Sequence, residues 1–209
     1  MMSALSEAVI NGDWDSAAEL TRQATESGAD PTTIIDGELR PAMVRVGERF
    51  SSGDFFLPDM LMAARAMNRA LDVLQPLLEG SKSTRIGKVV IGTVRGDVHD
   101  IGKNMVSMLL KGTGFDVVDI GADVSEERFV EEVRKHNPDI LALSALLTTT
   151  MPFLGSTIKA LDDAGLRAAV KVVVGGAPVS QRFADLIGAD GYGSDAGEAA
   201  SLCRRLVRK

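Results

Sequence analysis

The hydrophobic pattern of the chain changes near residue 80. Before that point apolar residues recur three or four positions apart, as along residues 57–78, which places them on one face of a helix. Turn signals divide this region at residues 11–12, 28–31 and 51–54. We expect Asp30 to cap the third helix, with Pro31 at its first position. Four helices with short connections predict a small antiparallel four-helix bundle.

After a polar segment at residues 80–85, short runs of β-branched residues alternate with helical stretches. The runs lie at residues 88–94, 116–120, 139–144, 171–174 and 190–193. Such runs predict parallel strands buried on both faces, with right-handed crossovers and the strand order 2-1-3-4-5. The predicted fold class is α/β, with a helical domain at residues 1–80, a linker at 81–87, and a doubly wound, flavodoxin-like domain with a five-stranded parallel sheet at 88–209.

Composition and charge exclude several functions. The 209 residues are 45% hydrophobic and 25% charged, and the net charge of -6 argues against binding to nucleic acids or anionic membranes. Cys203 is the only cysteine, so we expect no disulfide and no cysteine-based metal site. Residues 1–15 lack the pattern of a signal peptide, and no apolar run is long enough to cross a bilayer. These features predict a cytoplasmic location.

A histidine between two carboxylates follows the first predicted strand, in the run Asp97-Val98-His99-Asp100-Ile101-Gly102. Open α/β sheets bind ligands at the carboxyl ends of their strands. A carboxylate can orient one imidazole nitrogen and leave the other to bind a metal, whereas two carboxylates would repel a phosphate. The alternative interpretation is a plain helix start, with Asp97 or Asp100 as cap and Gly102 allowing close packing.

Other polar or small loops follow the later strands, and the predicted strand order places the loop after Ser144 beside His99. The residues in these loops are Ser144, Leu146, Thr148, Thr150, Gly175, Gly176, Ala177, Tyr192 and Asp195. Their alternative interpretations are helix capping and tight turns. A receiver domain would need an aspartate where Ser144 stands. A simple metal site would need a second ligand, and we expect His136 to be solvated on a surface helix.

These motifs resemble those of the base-off, histidine-on cobalamin-binding proteins. The resemblance is carried by Asp97-x-His99-Asp100-x-Gly102, by Ser144-x-Leu146 and by Gly175-Gly176. Residues 46–50, 53–58 and 60–64 resemble the helical cap domain of methylcobalamin proteins such as cobalamin-dependent methionine synthase. The chain as a whole is most similar to the corrinoid proteins of methanol, methylamine and O-demethylase methyltransferase systems.

The resemblance implies a role for each motif. The cofactor would be cobalamin, in its methylcobalamin form, with His99 replacing the nucleotide base on cobalt and Asp97 orienting the imidazole. Thr150 stands where the family commonly has a serine. Ser144 would bind the base of the nucleotide tail and Thr148 an edge of the corrin. The remaining implied cofactor contacts are Asp100, Ile101, Gly102, Leu146, Gly175, Gly176, Ala177, Tyr192 and Asp195, with Phe50, Phe56 and Leu57 as a shield on the opposite face. The alternative for those three is bundle core.

The function implied is that of a methyl carrier without catalytic residues of its own. Its partners would be a substrate-specific methyltransferase, a second methyltransferase with a tetrahydrofolate or thiol acceptor, and a reductive activase. The segment at residues 80–87 would be the hinge. The methyl donor stays open, with an aryl methyl ether or a methylamine favoured. Two alternatives remain, a cobalamin-binding sensor or regulator and the small subunit of an adenosylcobalamin mutase.

Overall fold

The structure is a computed structural model that describes residues 3–78 and 85–207. The chain divides into two compact units, one of Met1–Thr84 with Gly112–Gly114 and the other of Arg85–Lys111 with Phe115–Lys209. The predicted domain boundary at residue 80 and most of the predicted linker and hinge lie outside the described residues. Within the described ranges, no helix combines the length and the apolar character that a membrane span requires.

The helical unit contains the four predicted helical runs. They are α1 (Ala4–Ile10), α2 (Trp14–Glu26), a continuous run of α3 (Pro31–Ile34), a π-helical segment (Ile35–Leu39) and α4 (Arg40–Ser51), and finally α5 (Leu57–Leu74), which a 3-10 turn extends (Gln75–Leu77). The breaks fall where the sequence predicts them. Asp30 caps α3 by accepting the N–H of Thr33 at 2.9 Å, and Pro31 is the first helical residue, as expected.

The apolar face of each helix forms the core of this unit. Val9, Leu39, Met43, Met60 and Leu74 are fully buried, and they come from α1, the π-helical segment, α4 and α5. Because the residues that occupy this core recur at helical spacing, the hydrophobic pattern alone is sufficient to predict which side of each helix is inside.

The second unit is an α/β domain with a parallel five-stranded sheet in the order β2-β1-β3-β4-β5. Its elements are β1 (Gly87–Thr93), α6 (Ile101–Gly112), β2 (Phe115–Asp119), α7 (Glu126–His136), β3 (Ile140–Ser144), α8 (Pro152–Asp163), a 3-10 turn (Arg167–Ala169), β4 (Lys171–Gly175), α9 (Gln181–Leu186), β5 (Gly191–Gly193) and α10 (Ala196–Val207). The predicted order and fold class are confirmed, and each strand end lies within one residue of its prediction.

The register of the sheet determines where the loops meet. Thr93, the last residue of β1, lies beside Ser144, the last residue of β3, and Ser144 lies beside Gly175 at the end of β4. Buried side chains from α7 and α8, such as Phe129 and Leu154, pack on one face of these strands. The loops after β1, β3 and β4 therefore leave the sheet at one edge, where the strand order changes direction.

Candidate cofactor site

An aspartate and a histidine form the centre of the loop after β1. The Nδ1 atom of His99 lies 2.8 Å from Oδ1 of Asp97, and the same oxygen accepts the backbone N–H of His99 at 3.0 Å. The Asp97 side chain is fully buried, whereas the His99 side chain is 47% exposed. The carboxylate orients the ring and engages Nδ1, so Nε2 is the nitrogen left to bind a metal.

The second oxygen of Asp97 connects this loop to the loop after β3. Oδ2 accepts the N–H of Leu146 at 2.7 Å, the N–H of Leu147 at 3.3 Å and the hydroxyl of Thr150 at 2.7 Å. Burial by itself would raise the pKa of Asp97. The hydrogen bonds from Thr150, Leu146 and His99 outweigh burial and hold the pKa of Asp97 well below its usual range. The carboxylate is therefore ionised at neutral pH and acts as an acceptor towards both loops.

The start of α6 agrees with the plain capping interpretation at Asp100 but not at Asp97. Asp97 directs its carboxylate to His99 and to the loop after β3, while Asp100 precedes α6 and accepts the N–H of Asn104 through its carbonyl at 2.8 Å. A Cβ built on Gly102 would meet no atom within 4 Å, so this glycine faces open space. The idea that Gly102 permits close packing is therefore wrong.

Four apolar side chains around His99 are exposed to solvent. They are Val98 (73% exposed), Ile101 (68%), Leu146 (41%) and Leu147 (40%). Within residues 3–78 and 85–207, no group of three or more His, Cys, Asp and Glu side chains could hold a metal ion. One imidazole nitrogen inside an apolar rim would suit a metal that a large cofactor already holds. It does not fit a hydrated metal ion, which needs several protein ligands.

Two glycines lie at the end of β4, where neighbouring loops come close together. A Cβ on Gly176, whose φ is +127°, would lie 1.9 Å from the carbonyl oxygen of Ala145, and a Cβ on Gly175 would lie 3.1 Å from the carbonyl oxygen of Gly193. The space beside these glycines is already filled by backbone. The close approach of adjacent loops therefore accounts for a glycine at position 176. The contact of Gly175 and Gly176 with a cofactor stays a prediction.

The other predicted contacts at this edge lie in three environments. Ser144 is half-buried at the end of β3, whereas Thr148 and Ala177 are exposed in loops. Tyr192 packs partly buried against the apolar core, and Asp195 accepts the N–H of Glu198 at 2.9 Å in the first turn of α10. Asp195 is thus occupied as a helix cap. The geometry brings Ser144 and Thr148 near the loop of Asp97, and the role of Ser144 and Thr148 towards a cofactor stays a prediction.

In the helical unit, Phe56 and Leu57 precede and begin α5. Phe56 is 66% exposed and Leu57 is 36% exposed, while Phe50, near the end of α4, is half-buried. The N–H of Phe56 donates to Asp59 at 2.8 Å, which stabilises the start of α5. The alternative interpretation as bundle core is therefore wrong for Phe56 and Leu57. Their exposed apolar surface is what a shield would need.

His136 is not simply solvated, in contrast to the expectation. Its Nε2 lies 2.9 Å from Oε2 of Glu132, a carboxylate that is 3% exposed and that also pairs with Arg128 at 2.6 Å. The His136 side chain is 24% exposed at the end of α7. Both pairs lie within α7, so we assign His136 to the stability of that helix.

Three residues that sequence reasoning missed support the His99 loop. Lys103 is 3% exposed and pairs with Asp119 at the end of β2, and the carboxylate of Asp123 accepts the N–H of Gly96 at 2.7 Å. Lys103 could have been identified from the sequence, because it directly follows Gly102 in the predicted first turn of a helix. Asp119 and Asp123 gave no comparable signal, because their partners lie on other segments of the chain.

Fold and site together define a class of protein, one that offers a single oriented histidine to the metal of a large cofactor at the switch point of a parallel sheet. Comparison with known families identifies that class. Residues 87–201 match a family described as B12 binding domain, and residues 2–75 match a second family with the same description. The chain belongs to the B12-binding proteins, and its cofactor is cobalamin.

Individual relatives match the chain over nearly its whole length. Trimethylamine corrinoid protein 2 of Methanosarcina acetivorans is 43% identical over 204 residues, which are 97% of this chain and 94% of that protein. Dimethylamine corrinoid protein 1 of the same organism is 44% identical over 208 residues, or 99% of this chain and 97% of that protein. A chain of the methanol:cobalamin methyltransferase complex MtaBC from Methanosarcina barkeri has a TM-score of 0.83 and 33% identity, with 97% of this chain and 78% of that chain covered.

Proposed function

We propose that this protein is a corrinoid methyl carrier, which binds cobalamin through His99 and presents it to a methyltransferase. The observation that carries the proposal is the Asp97–His99 pair, with Nδ1 of His99 held at 2.8 Å and Nε2 available inside an exposed apolar rim. When bound, the cobalt of cobalamin supplies the chemistry by which a methyl group is accepted and passed on. The chain contributes binding, orientation and exclusion of water.

Each residue in the proposal acts through a contact described above. Asp97 keeps the proton of His99 on Nδ1 and so presents the lone pair of Nε2 to the metal. Thr150 donates to Asp97 at 2.7 Å and takes the role of the serine that the family commonly has at this position, because it retains the hydroxyl. Val98, Ile101, Leu146 and Leu147 would contact the corrin face. We extend the proposal to Phe50, Phe56 and Leu57 as an apolar shield for the reactive face of the cofactor.

The relatives suggest the substrate class of the system. Two of them are trimethylamine and dimethylamine corrinoid proteins, at 43% and 44% identity. We therefore propose a methylamine-type donor, delivered by a substrate-specific methyltransferase. A second methyltransferase with a thiol or tetrahydrofolate acceptor and a reductive activase complete the proposed set of partners. The similarity to a chain of a methyltransferase complex supports docking to an enzyme of this kind.

Isotope labelling of the histidines tests whether His99 binds cobalt. Protein grown with nitrogen-15 histidine is loaded with cobalamin, which is reduced to its Co(II) form, and the electron paramagnetic resonance spectrum is recorded. If His99 binds cobalt, the splitting of the Co(II) signal by the bound nitrogen changes with the isotope. The nucleotide base of the cofactor remains unlabelled, so a bond from that base to cobalt would give no change. His99→Gln should abolish the isotope effect, and His136→Gln should leave it unchanged. A spectrum that ignores the isotope in the wild type would overturn the proposal.

A second measurement separates a methyl carrier from the alternatives. Binding of methylcobalamin and of adenosylcobalamin is compared in the dark, and the methyl-loaded protein is then mixed with coenzyme M and a methylamine-system methyltransferase. A carrier loses its methyl group to the thiol in an enzyme-dependent manner. Strong preference for adenosylcobalamin would instead favour a mutase subunit, and binding without enzyme-dependent methyl loss would favour a sensor.

A further inference from the structure

Asp123, in the loop between β2 and α7, has a left-handed backbone conformation, with φ at +55°. Among residues 3–78 and 85–207, the one other non-glycine residue with positive φ is Asn137, at +43°. Asn137 ends α7, where this conformation is common. Asp123 ends no helix. An uncommon backbone conformation persists where surrounding contacts require it. We therefore look to the contacts of Asp123 for the cause of its left-handed conformation.

Those contacts lead directly to the residue that orients His99. Oδ1 of Asp123 accepts the N–H of Gly96 at 2.7 Å, and the N–H of Asp123 donates to the carbonyl of Asp97 at 2.9 Å. One residue thus holds the backbone on both sides of the Gly96–Asp97 peptide. The adjacent bridge between Val94 and Val124 keeps the two loops in register.

The choice of aspartate indicates that the side chain matters. Glycine adopts the left-handed conformation without steric penalty, so a position selected only for its backbone would favour glycine. Glycine, however, has no acceptor for the N–H of Gly96. Aspartate tolerates the conformation and supplies a charge-assisted hydrogen bond of 2.7 Å.

The loop that carries Asp123 is itself anchored. Asp119 accepts the N–H of Gly121 at 2.9 Å through one oxygen and pairs with the buried Lys103 of α6 through the other. The carbonyl of Gly121 accepts the N–H of Thr93 at 3.0 Å. The loop that carries Asp123 is therefore attached to both β1 and α6. Because this loop is fixed independently of Asp97, Asp123 can hold the backbone of Asp97 in place.

We propose that Asp123 is a positioning residue for cobalt ligation, because it fixes the backbone of Asp97 and so sets the orientation of the His99 imidazole. This inference rests on the proposed role of His99 as the cobalt ligand. Asp123 touches neither the imidazole nor the cofactor site. Its effect passes through the carbonyl of Asp97, the neighbouring peptide and the carboxylate that holds Nδ1.

Two variants separate the side chain from the backbone. Asp123→Gly keeps the left-handed conformation and removes the acceptor, whereas Asp123→Asn keeps an acceptor oxygen and tolerates the conformation. The matched control is Asn137→Gly, which makes a similar change at the other left-handed residue, at the end of α7. Urea denaturation of all three full-length variants shows which of them lose stability in general.

The first readout uses the cofactor-free protein. Imidazole nitrogen-15 chemical shifts, at a pH where both histidines are neutral, report which nitrogen carries the proton. In the wild type and Asp123→Asn, His99 should hold its proton on Nδ1. In Asp123→Gly, His99 should move to the tautomer mixture of an unrestrained histidine. His136, bonded through Nε2, should not change in any variant.

The second readout is the fraction of bound Co(II) cobalamin whose electron paramagnetic resonance signal changes when the histidines carry nitrogen-15. We expect Asp123→Gly to weaken ligation by His99 about ten-fold, the lower end of the range for residues that support a metal ligand. Asp123→Asn and Asn137→Gly should match the wild type. A wild-type tautomer and wild-type ligation in Asp123→Gly would overturn the inference, even if that variant is less stable. Absence of the isotope effect in the wild type would overturn the function of His99, while the tautomer measurement would still test the role of Asp123.

Discussion

The two histidines of the chain make the same kind of contact in two different places. Each imidazole bonds to a buried carboxylate, His99 through Nδ1 to Asp97 at 2.8 Å and His136 through Nε2 to Glu132 at 2.9 Å. The carboxylate of Asp97 is held by backbone N–H groups and a hydroxyl, whereas that of Glu132 is held by the side chains of Arg128 and Lys135. A histidine–carboxylate pair is therefore not a functional signal by itself.

What distinguishes the pairs is the nitrogen that remains available and its surroundings. At His99 the free nitrogen is Nε2, at the tip of a ring that is 47% exposed and surrounded by exposed apolar side chains. At His136 the ring tip is the part that is bonded, and the side chain is 24% exposed. A histidine that binds the metal of a bulky cofactor needs the nitrogen at the tip of its ring free. Of the two histidines, only His99 has this geometry.

The largest difference should appear when each carboxylate becomes an amide. Asp97→Asn places an NH2 group against N–H groups of the backbone, which cannot turn away, and we expect a loss of about 2–3 kcal/mol in the free energy of unfolding. Glu132→Gln faces side chains that can rotate to water, and we expect a loss of about 1 kcal/mol. Urea denaturation of both variants measures the difference. Equal losses would show that the donors at Asp97 are not fixed as described.

A smaller effect should follow the loss of one hydroxyl. Thr150→Val removes the donor to Asp97 and retains the shape of the side chain, so we expect a loss of about 1 kcal/mol in the free energy of unfolding. The same change at the exposed Thr149 should have almost no effect, and Thr150→Ser should retain the hydrogen bond. Denaturation curves of the three variants make the comparison. A neutral Thr150→Val would indicate that Leu146 and Leu147 are sufficient to hold the carboxylate.

The smallest expected effect on stability concerns Asp190, a carboxylate that pairs with no histidine. Burial by itself would raise the pKa of Asp190, but the N–H of Val172 and the cations Lys171 and Arg167 hold the pKa of this carboxyl below its usual range. Because the pKa is lowered on folding, the stability it contributes is present above pH 4 or so and is lost as the pH falls through the folded value. Asp190→Asn should therefore differ from the wild type most at neutral pH.

The measurement for Asp190 is the free energy of unfolding against pH, from neutral to about pH 3. The control is Asp163→Asn, since Asp163 is 66% exposed in its pair with Lys159 and should contribute little at any pH. If the difference between wild type and Asp190→Asn grew as the pH fell, the sign of the argument would be wrong.

Much of the fold was predictable because it depends on local pattern. Helical spacing located the breaks of the bundle, and β-branched runs located five strands to within one residue. Of the site, the Asp97–His99 pair was predictable because its members are two residues apart. The contact from Leu146 to Asp97 spans 49 residues, and that from Asp123 to Gly96 spans 27, so no local pattern could indicate them. The close approach of Gly176 to Ala145 was likewise not predictable, because Ala145 comes from another loop.

The amino-acid sequence by itself indicated the α/β fold, the strand order and the histidine that we propose as the cobalt ligand, because periodicity, turn chemistry and short-range pairing are properties of neighbouring residues. Tertiary structure alone decided which imidazole nitrogen stays free, which backbone groups hold Asp97 and why Asp123 adopts a left-handed conformation. These depend on where separate loops meet at the edge of the sheet, and that meeting is produced by the packing of the whole domain.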